Sequence, residues 1–115
     1  MGTARDPEEH FVPVADQADL DRLFTESAEE PVVLFKHDFA CHISANAYRE
    51  LAAVPVEVPL IDVERQKGLA DEVASRTGIE HESPQVIVLR NGRAVYAASH
   101  WGVNGGEVAR ATGGA

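Results

Sequence analysis

The single cysteine, Cys41, is the residue of this 115-residue chain with the most reactive side chain. A lone cysteine excludes an intramolecular disulfide and an all-cysteine metal site within one chain. Cysteines of this kind are usually buried apolar side chains, and a reactive thiol is the less common alternative. The sequence around Cys41 distinguishes a buried apolar cysteine from a reactive thiol.

Polar residues follow Cys41 in the run Cys41-His42-Ile43-Ser44. His42 would favour a thiolate as an imidazolium or donate a hydrogen bond to sulfur as a neutral ring, and it can equally point into solvent. Ser44 occupies the position where dithiol oxidoreductases carry their second cysteine. Because serine cannot resolve a mixed disulfide, a nucleophilic Cys41 has to be released by a thiol from outside the chain. His37, in the preceding loop, is interpreted as a surface residue.

A buried strand and a helix are predicted to position Cys41. The run Val32–Phe35 is continuously apolar and rich in β-branched and aromatic residues, which is typical of a strand covered on both faces. Apolar residues then recur at four-residue steps from Ile43 to Leu51, which predicts a helix. Cys41 is therefore expected at a helix N-terminus, where unpaired N–H groups favour a thiolate.

Further elements complete an α/β domain. They are a helix capped by Asp16 and ending before Pro31, a strand over Val58–Val63, a helix around Leu69–Ala74 that stops at Gly78, a hairpin of Gln85–Arg90 and Ala94–Ser99 joined by Asn91-Gly92, and a helix over about Asn104–Ala111. This order predicts a mixed four-stranded sheet flanked by helices. We expect one domain over residues 1–115, with residues 1–13 as a flexible N-terminal segment.

The charge and hydropathy of the chain exclude several classes of partner. Ten Lys and Arg against nineteen Asp and Glu give a net charge of -9, which repels phosphate backbones and argues against nucleic-acid binding. No apolar run approaches the roughly 20 residues that cross a bilayer, so no membrane partner is expected. The first ten residues carry acids and a proline where a signal peptide has an apolar stretch. A cytoplasmic location is therefore predicted.

Three segments of the sequence resemble one family. A buried strand, a cysteine at the start of the next helix and a proline at the start of the hairpin strand are the arrangement of the thioredoxin fold. Within it, the segments Phe35–Ser44, Glu82–Val86 and Ala98–Trp101 resemble the monothiol bacilliredoxins, also called YtxJ-like bacillithiol-system proteins. The resemblance covers the chain from about Asp16 onward. The family pattern has proline directly after the cysteine, where this chain has His42.

This resemblance implies a thioredoxin-like thiol–disulfide oxidoreductase that removes bacillithiol from mixed disulfides on client proteins. Cys41 would be the catalytic nucleophile, with His42 and Ser44 supporting the thiolate or its loop. Bacillithiol would be the co-substrate, and no tightly bound cofactor or metal is implied. The partners would be bacillithiolated client proteins and a low-molecular-weight thiol.

The resemblance also implies a substrate-binding role for three residues near the cysteine loop. Pro84 would follow a cis peptide bond that turns the Ser83 backbone toward an extended ligand or client segment. Lys36 would place a cation near the malate group of bacillithiol. A trans proline at an edge strand and a solvated lysine are the corresponding structural interpretations.

Two other functions stay open at this point. The Cys41-His42-Ile43-Ser44 run loosely resembles the Cys-Gly-Phe-Ser site of monothiol glutaredoxins, which suggests an iron–sulfur or metal carrier that would need a dimer and added thiols. A non-catalytic thioredoxin-fold binding module with an inert, buried Cys41 is the third possibility. A buried Cys41 would favour the binding module, whereas an exposed Cys41 would favour the oxidoreductase or the metal carrier.

Overall fold

Five α-helices and five strands make up residues 7–113, the part of the chain that the computed structural model describes. The helices are α1 (Pro7–His10), α2 (Gln17–Glu26), α3 (His42–Ala52), α4 (Lys67–Thr77) and α5 (Gly105–Ala111). The strands are β1 (Phe11–Pro13), β2 (Val32–His37), β3 (Val58–Asp62), β4 (Gln85–Arg90) and β5 (Arg93–Ser99). A short 3-10 helix, His100–Gly102, follows β5.

The strands form one mixed sheet in the order β1-β3-β2-β4-β5. β1 and β2 both pair in parallel with β3, whereas β4 is antiparallel to β2 and to β5. All six residues of the central β2 are buried, because helices cover both of its faces. The predicted mixed sheet flanked by helices is therefore confirmed.

Each face of the sheet has its own apolar core. On one face α3 and α5 pack in a cluster that contains Phe11, Val33, Phe35, Ala47, Leu51, Val58, Val86, Val88 and Val108. On the other face α2 and α4 pack in a cluster that contains Leu20, Leu23, Val32, Leu34, Ile61, Val73, Ile87 and Leu89. Alternate residues of β2 thus point to opposite cores, as the two-residue period of a strand requires. Among residues 7–113, no helix has the length and hydropathy to cross a membrane.

The predictions for the N-terminus and the number of strands are wrong in part. Residues 7–13 form α1 and β1, and β1 adds a fifth strand with Phe11 opposite Val58. Phe11 is buried and its ring stacks on Tyr48 with centroids 4.0 Å apart, which fixes the segment against α3. A three-residue strand is too short to show a hydrophobic period, so this element left little signal in the sequence. Residues 1–6 lie outside the described part of the chain.

The predicted caps and hairpin are confirmed. The side chain of Asp16 accepts a hydrogen bond from the Asp19 backbone N–H at 2.9 Å and so caps α2. Gly78 ends α4 with φ of 75°. Asn91 and Gly92 have φ of 53° and 74°, the left-handed conformation that a two-residue hairpin turn requires.

Gly105 is expected to be intolerant of a side chain. A Cβ at this position would overlap the backbone carbonyl oxygen of Glu50, so α5 would have to move away from α3. Gly105→Ala should lower the free energy of unfolding by about 1–3 kcal/mol, measured by urea denaturation. Gly68→Ala on α4 is the matched control, because a Cβ there meets no atom within 4 Å. That control should be neutral or slightly stabilising. Equal stability of the two variants would contradict the close approach of α5 to α3.

Candidate active site

Cys41 lies where the sequence pattern places it, at the N-terminus of α3. It is the N-cap residue, with an extended backbone (φ -111°, ψ 126°), and its carbonyl oxygen accepts a hydrogen bond from the Ala45 N–H at 3.1 Å. Its side chain makes no capping hydrogen bond, and the residue is partly exposed. Cys41 is therefore partly exposed and has no capping hydrogen bond, and it lies next to the unpaired N–H groups of a helix terminus.

Backbone hydrogen bonds close the loop between β2 and Cys41. The Cys41 N–H donates to the carbonyl oxygen of Asp38 at 3.1 Å. The Ala40 N–H donates to the Asp38 carboxylate at 3.0 Å, which is the local turn that aspartate favours. Asp38 thus organises both ends of a three-residue connection, and Cys41 is held at a fixed place in the loop.

Ser44 anchors this loop from inside the protein. Its side chain is fully buried, and its Oγ accepts a hydrogen bond from the Asp38 N–H at 2.9 Å. The same Oγ lies 2.6 Å from Nδ1 of His37. Ser44 therefore has a structural role in addition to occupying the position of a resolving cysteine.

His37 is the residue of this site that the sequence interpretation missed. The prediction of a surface residue is wrong, because only 4% of His37 is exposed and its ring contacts Phe35, Phe39 and Tyr48 at centroid distances of 5.0, 4.3 and 5.2 Å. The available signal was the alternation of β2, because His37 follows Val33 and Phe35 on the face that α3 covers. Burial lowers the pKa of His37 below its ordinary value, against the opposing effects of nearby carboxylates. The imidazole is therefore neutral at pH 7.

Lys36 is buried on the other face of β2. None of it is exposed, and its Nζ lies 3.0 Å from Nδ1 of His81. Burial lowers the pKa of Lys36 to about 8, although the carboxylates of Asp71 and Glu82 act in the opposite direction. Burial and the Lys36 cation both lower the pKa of His81, which fits an ammonium that donates to a neutral imidazole. Lys36 is thus not a solvated strand-end residue, and its predicted contact with a ligand carboxylate stays a prediction.

Replacement of Lys36 by an apolar residue is expected to stabilise the protein. The lowering of its pKa from 10.5 to about 8 corresponds to a burial penalty of about 3 kcal/mol at neutral pH. Lys36→Met should therefore raise the free energy of unfolding at pH 7, by about 1–3 kcal/mol after the changed packing is included. Urea denaturation at several pH values measures the difference.

The pH dependence separates this effect from packing alone. Between pH 8 and 10.5 the unfolded chain keeps its Lys36 proton while the folded wild type loses it, so wild-type stability rises with pH in this range. The advantage of Lys36→Met should therefore shrink over that range. Lys67→Met changes the other lysine, which is exposed, and should show neither effect. A Lys36→Met variant that is less stable than wild type by the same amount at every pH would contradict a buried ammonium.

Ser83 and Pro84 lie beside the cysteine loop. Their peptide bond is cis, and Pro84 is buried directly before β4. Because Gln85 pairs with Lys36 in the antiparallel register, Pro84 lies next to the end of β2. Ser83 and Asp38 line one cavity of about 380 Å³. Its other walls are Val63, Glu64, Lys67, Ala70, Asp71 and His81.

Exposed rings lie in and near the cysteine loop. His42, the first residue of α3, is exposed, and its ring centroid lies 6.5 Å from that of Trp101 in the 3-10 helix. Trp101 is 62% exposed, and Phe39 in the cysteine loop is 63% exposed. The position of His42 leaves both of its predicted roles open.

The arrangement has the parts that thiol–disulfide exchange requires. Cys41 is accessible at a helix N-terminus, and Ser44, one turn on, is buried and holds no thiol. A disulfide formed on Cys41 therefore has no second thiol in the chain to attack it. Within the described part of the chain, no three or more His, Cys, Asp or Glu side chains come together as metal ligands.

A protein-family model matches most of the chain. The family is described as Monothiol bacilliredoxin BrxC, and the match extends over residues 12–108. These residues contain every strand from β2 to β5 and all of the cysteine loop.

Solved structures share the fold. A thioredoxin-fold protein proposed to be an oxidoreductase is 25% identical, with a TM-score of 0.82 over 91% of this chain and 96% of the other. The thioredoxin of Fasciola hepatica is 21% identical, with a TM-score of 0.67 over 88% of this chain and 95% of its own. A mutant thioredoxin from Halobacterium salinarum is 19% identical, with a TM-score of 0.65 over 96% of this chain and 93% of its own. The fold is therefore the thioredoxin fold.

Proposed function

This chain belongs to the monothiol bacilliredoxin family, and from that premise we propose that it removes bacillithiol from mixed disulfides on client proteins. The observation that carries the proposal is the pair formed by an accessible thiol at the N-cap of α3 and a buried serine three residues later. Such a site can form one mixed disulfide but cannot resolve it internally.

The first step is attack by the Cys41 thiolate on the bacillithiol sulfur of a client mixed disulfide. A disulfide forms between Cys41 and bacillithiol as the client disulfide breaks. The client sulfur leaves as a thiolate and takes a proton from water. The client is thereby reduced, and Cys41 holds the bacillithiol.

The second step uses an outside thiol because Ser44 supplies none. The thiolate of a second bacillithiol attacks the bacillithiol sulfur on Cys41. This releases the Cys41 thiolate and forms bacillithiol disulfide. The incoming bacillithiol is oxidised from thiol to disulfide as the client sulfur is reduced from disulfide to thiol, whereas the bacillithiol taken from the client stays at the disulfide level. Reduced bacillithiol is abundant only in a reducing compartment, and we place the reaction in the cytoplasm.

We assign ligand contacts to the cavity of about 380 Å³ beside the loop. Ser83 lines this cavity, and its buried hydroxyl oxygen has no hydrogen-bond partner among residues 7–113. Lys67 supplies an exposed cation at the start of α4 for the malate carboxylates of bacillithiol. Lys36 lies beneath His81 and supports this wall.

The alternatives differ in what they require of Cys41. A non-catalytic binding module with an inert thiol predicts a buried side chain, whereas Cys41 is partly exposed. The iron–sulfur or metal-carrier alternative needs a second subunit and added thiols, and no feature of residues 7–113 favours it over exchange chemistry.

Mass spectrometry of Cys41 tests the choice of thiol. The protein is incubated separately with bacillithiol disulfide and with glutathione disulfide at equal concentrations. The proposed function predicts a Cys41 adduct that forms faster with bacillithiol disulfide. Equal rates would show a general monothiol oxidoreductase, and no adduct with either disulfide would show an unreactive thiol.

A further inference from the structure

We propose that His37 is a positioning residue for Cys41 and acts through Ser44. A neutral His37, with its proton on Nε2, accepts a hydrogen bond from the Ser44 hydroxyl at Nδ1 and so fixes the cysteine loop. This role rests on the proposed function in one respect, which is that Cys41 is the reacting thiol. It concerns the geometry of the chain itself and needs no bound ligand.

The hydrogen bonds of Ser44 determine the direction of its contact with His37. The Asp38 backbone N–H can only donate, so Ser44 Oγ is the acceptor in that 2.9 Å contact. The hydroxyl proton of Ser44 then needs an acceptor, because the side chain is fully buried. Nδ1 of His37, 2.6 Å away, is the acceptor in place. The remaining ring proton of a neutral imidazole is then on Nε2.

The surroundings of His37 make it a rigid anchor. Its backbone carbonyl oxygen accepts a hydrogen bond from the Val63 N–H at 3.0 Å, which ties it to the end of β3. Its ring is packed between Phe35, Phe39 and Tyr48. A chain of contacts thus runs from the sheet through His37 and Ser44 to Asp38, which in turn accepts the Cys41 N–H.

Protonation of His37 should weaken this anchor, because the Ser44 hydroxyl proton loses its acceptor. The carboxylates near His37 are those of Asp38 in the loop and Asp62 on β3. Tyr48 and Arg49 of α3 line a cavity of about 280 Å³ together with His37. Burial outweighs the two carboxylates and holds the pKa of His37 below its ordinary value. Once protonated, the ring presents an N–H at Nδ1 and can no longer accept the Ser44 proton.

Nuclear magnetic resonance on the wild type tests the tautomer directly. The ¹⁵N shifts of the His37 ring at pH 7 should show an unprotonated Nδ1 and a protonated Nε2. The Asp38 amide should exchange slowly with solvent, and its protection should fall as His37 titrates. A proton on Nδ1 at pH 7, or an Asp38 amide that exchanges at the rate of an open loop, would overturn the proposal without affecting the chemistry assigned to Cys41.

Variants then test whether His37 acts through Ser44. His37→Leu removes the acceptor and should lower Asp38 amide protection by roughly tenfold or more, and Ser44→Ala should do the same. The double variant should lose no more than either single one, because the two residues act as one unit. His37→Asn places an amide oxygen near the position of Nδ1 and should restore most of the protection. Independent, additive losses would overturn the proposal.

The alkylation rate of Cys41 by iodoacetamide connects the anchor to the thiol. In wild type its pH profile should contain an inflection below pH about 6.5 that arises from His37. His37→Asn should lack this inflection. His100→Asn, which removes an exposed imidazole, should retain it. Circular dichroism confirms that each variant is folded, and a His37→Asn profile identical to that of wild type would contradict a role for His37.

Discussion

Cys41→Ser is expected to abolish removal of bacillithiol from a client protein. Cys41 is the only sulfur nucleophile of the chain, and it is partly exposed at the start of α3. A serine hydroxyl does not ionise near neutral pH and cannot form a disulfide. The rate of client reduction should therefore fall on the order of a thousandfold or more, to the rate with free bacillithiol alone. Release of the client thiol, followed by mass spectrometry, measures the loss.

The variant should remain folded, which makes the result interpretable. The Cys41 side chain makes no capping hydrogen bond, so its replacement removes no contact that holds α3 in place. Serine is also a favourable N-cap residue and should leave the stability of the helix unchanged or slightly improved. A Cys41→Ser variant that is folded and still reduces the client would locate the chemistry elsewhere.

Ser44→Cys is expected to convert the site from one thiol to two. Residues three apart on a helix have side chains about 5–6 Å apart, which is within reach of a disulfide after small adjustments. The new thiol should attack the Cys41–bacillithiol disulfide and release bacillithiol. Intact-mass measurement should then show little adduct and a species lighter by the two hydrogens of an internal disulfide.

This variant carries a cost that the structure explains. Ser44 Oγ accepts from the Asp38 N–H and lies against His37, and a thiol is a weak partner for both. Ser44→Cys should therefore lose about 1–3 kcal/mol of stability in its reduced form. Ser75→Cys is the matched control, because it adds a thiol at an exposed position on α4, across the sheet from α3. That control should accumulate as much bacillithiol on Cys41 as the wild type does. If wild type, Ser44→Cys and Ser75→Cys all accumulate equal amounts of this adduct, the new thiol at position 44 does not attack the Cys41–bacillithiol disulfide.

Periodic and local signals in the sequence predicted the framework of the site. The apolar run that became β2 and the four-residue spacing that became α3 placed Cys41 at a helix N-terminus. Asn91-Gly92 predicted the hairpin because only residues that tolerate positive φ suit both positions of its turn. These features depend on neighbours in the chain, and such neighbours are visible in a sequence.

Two of the features that were missed, the burial of Lys36 and the strand β1, depend on partners distant in the chain. Lys36 has the side chain of a surface residue, and its burial is possible because of His81, 45 residues later. His37 is different, because the alternation of β2 already placed it on the face that α3 covers, and only its contact with Ser44 across the loop was hidden. β1 has three residues, and it is stabilised by pairing with β3, more than 40 residues away. Tertiary contacts of this kind override what a local pattern predicts.

The central claim is that Cys41 takes bacillithiol from a client and cannot pass it on alone. Intact-mass measurement of the wild type during a single turnover tests it most directly, with a bacillithiolated client and no free thiol. The expected result is one bacillithiol on Cys41 for each client reduced, with the adduct persisting until free bacillithiol is added. Reduced client together with unmodified Cys41, in the absence of any added thiol, would contradict the monothiol mechanism.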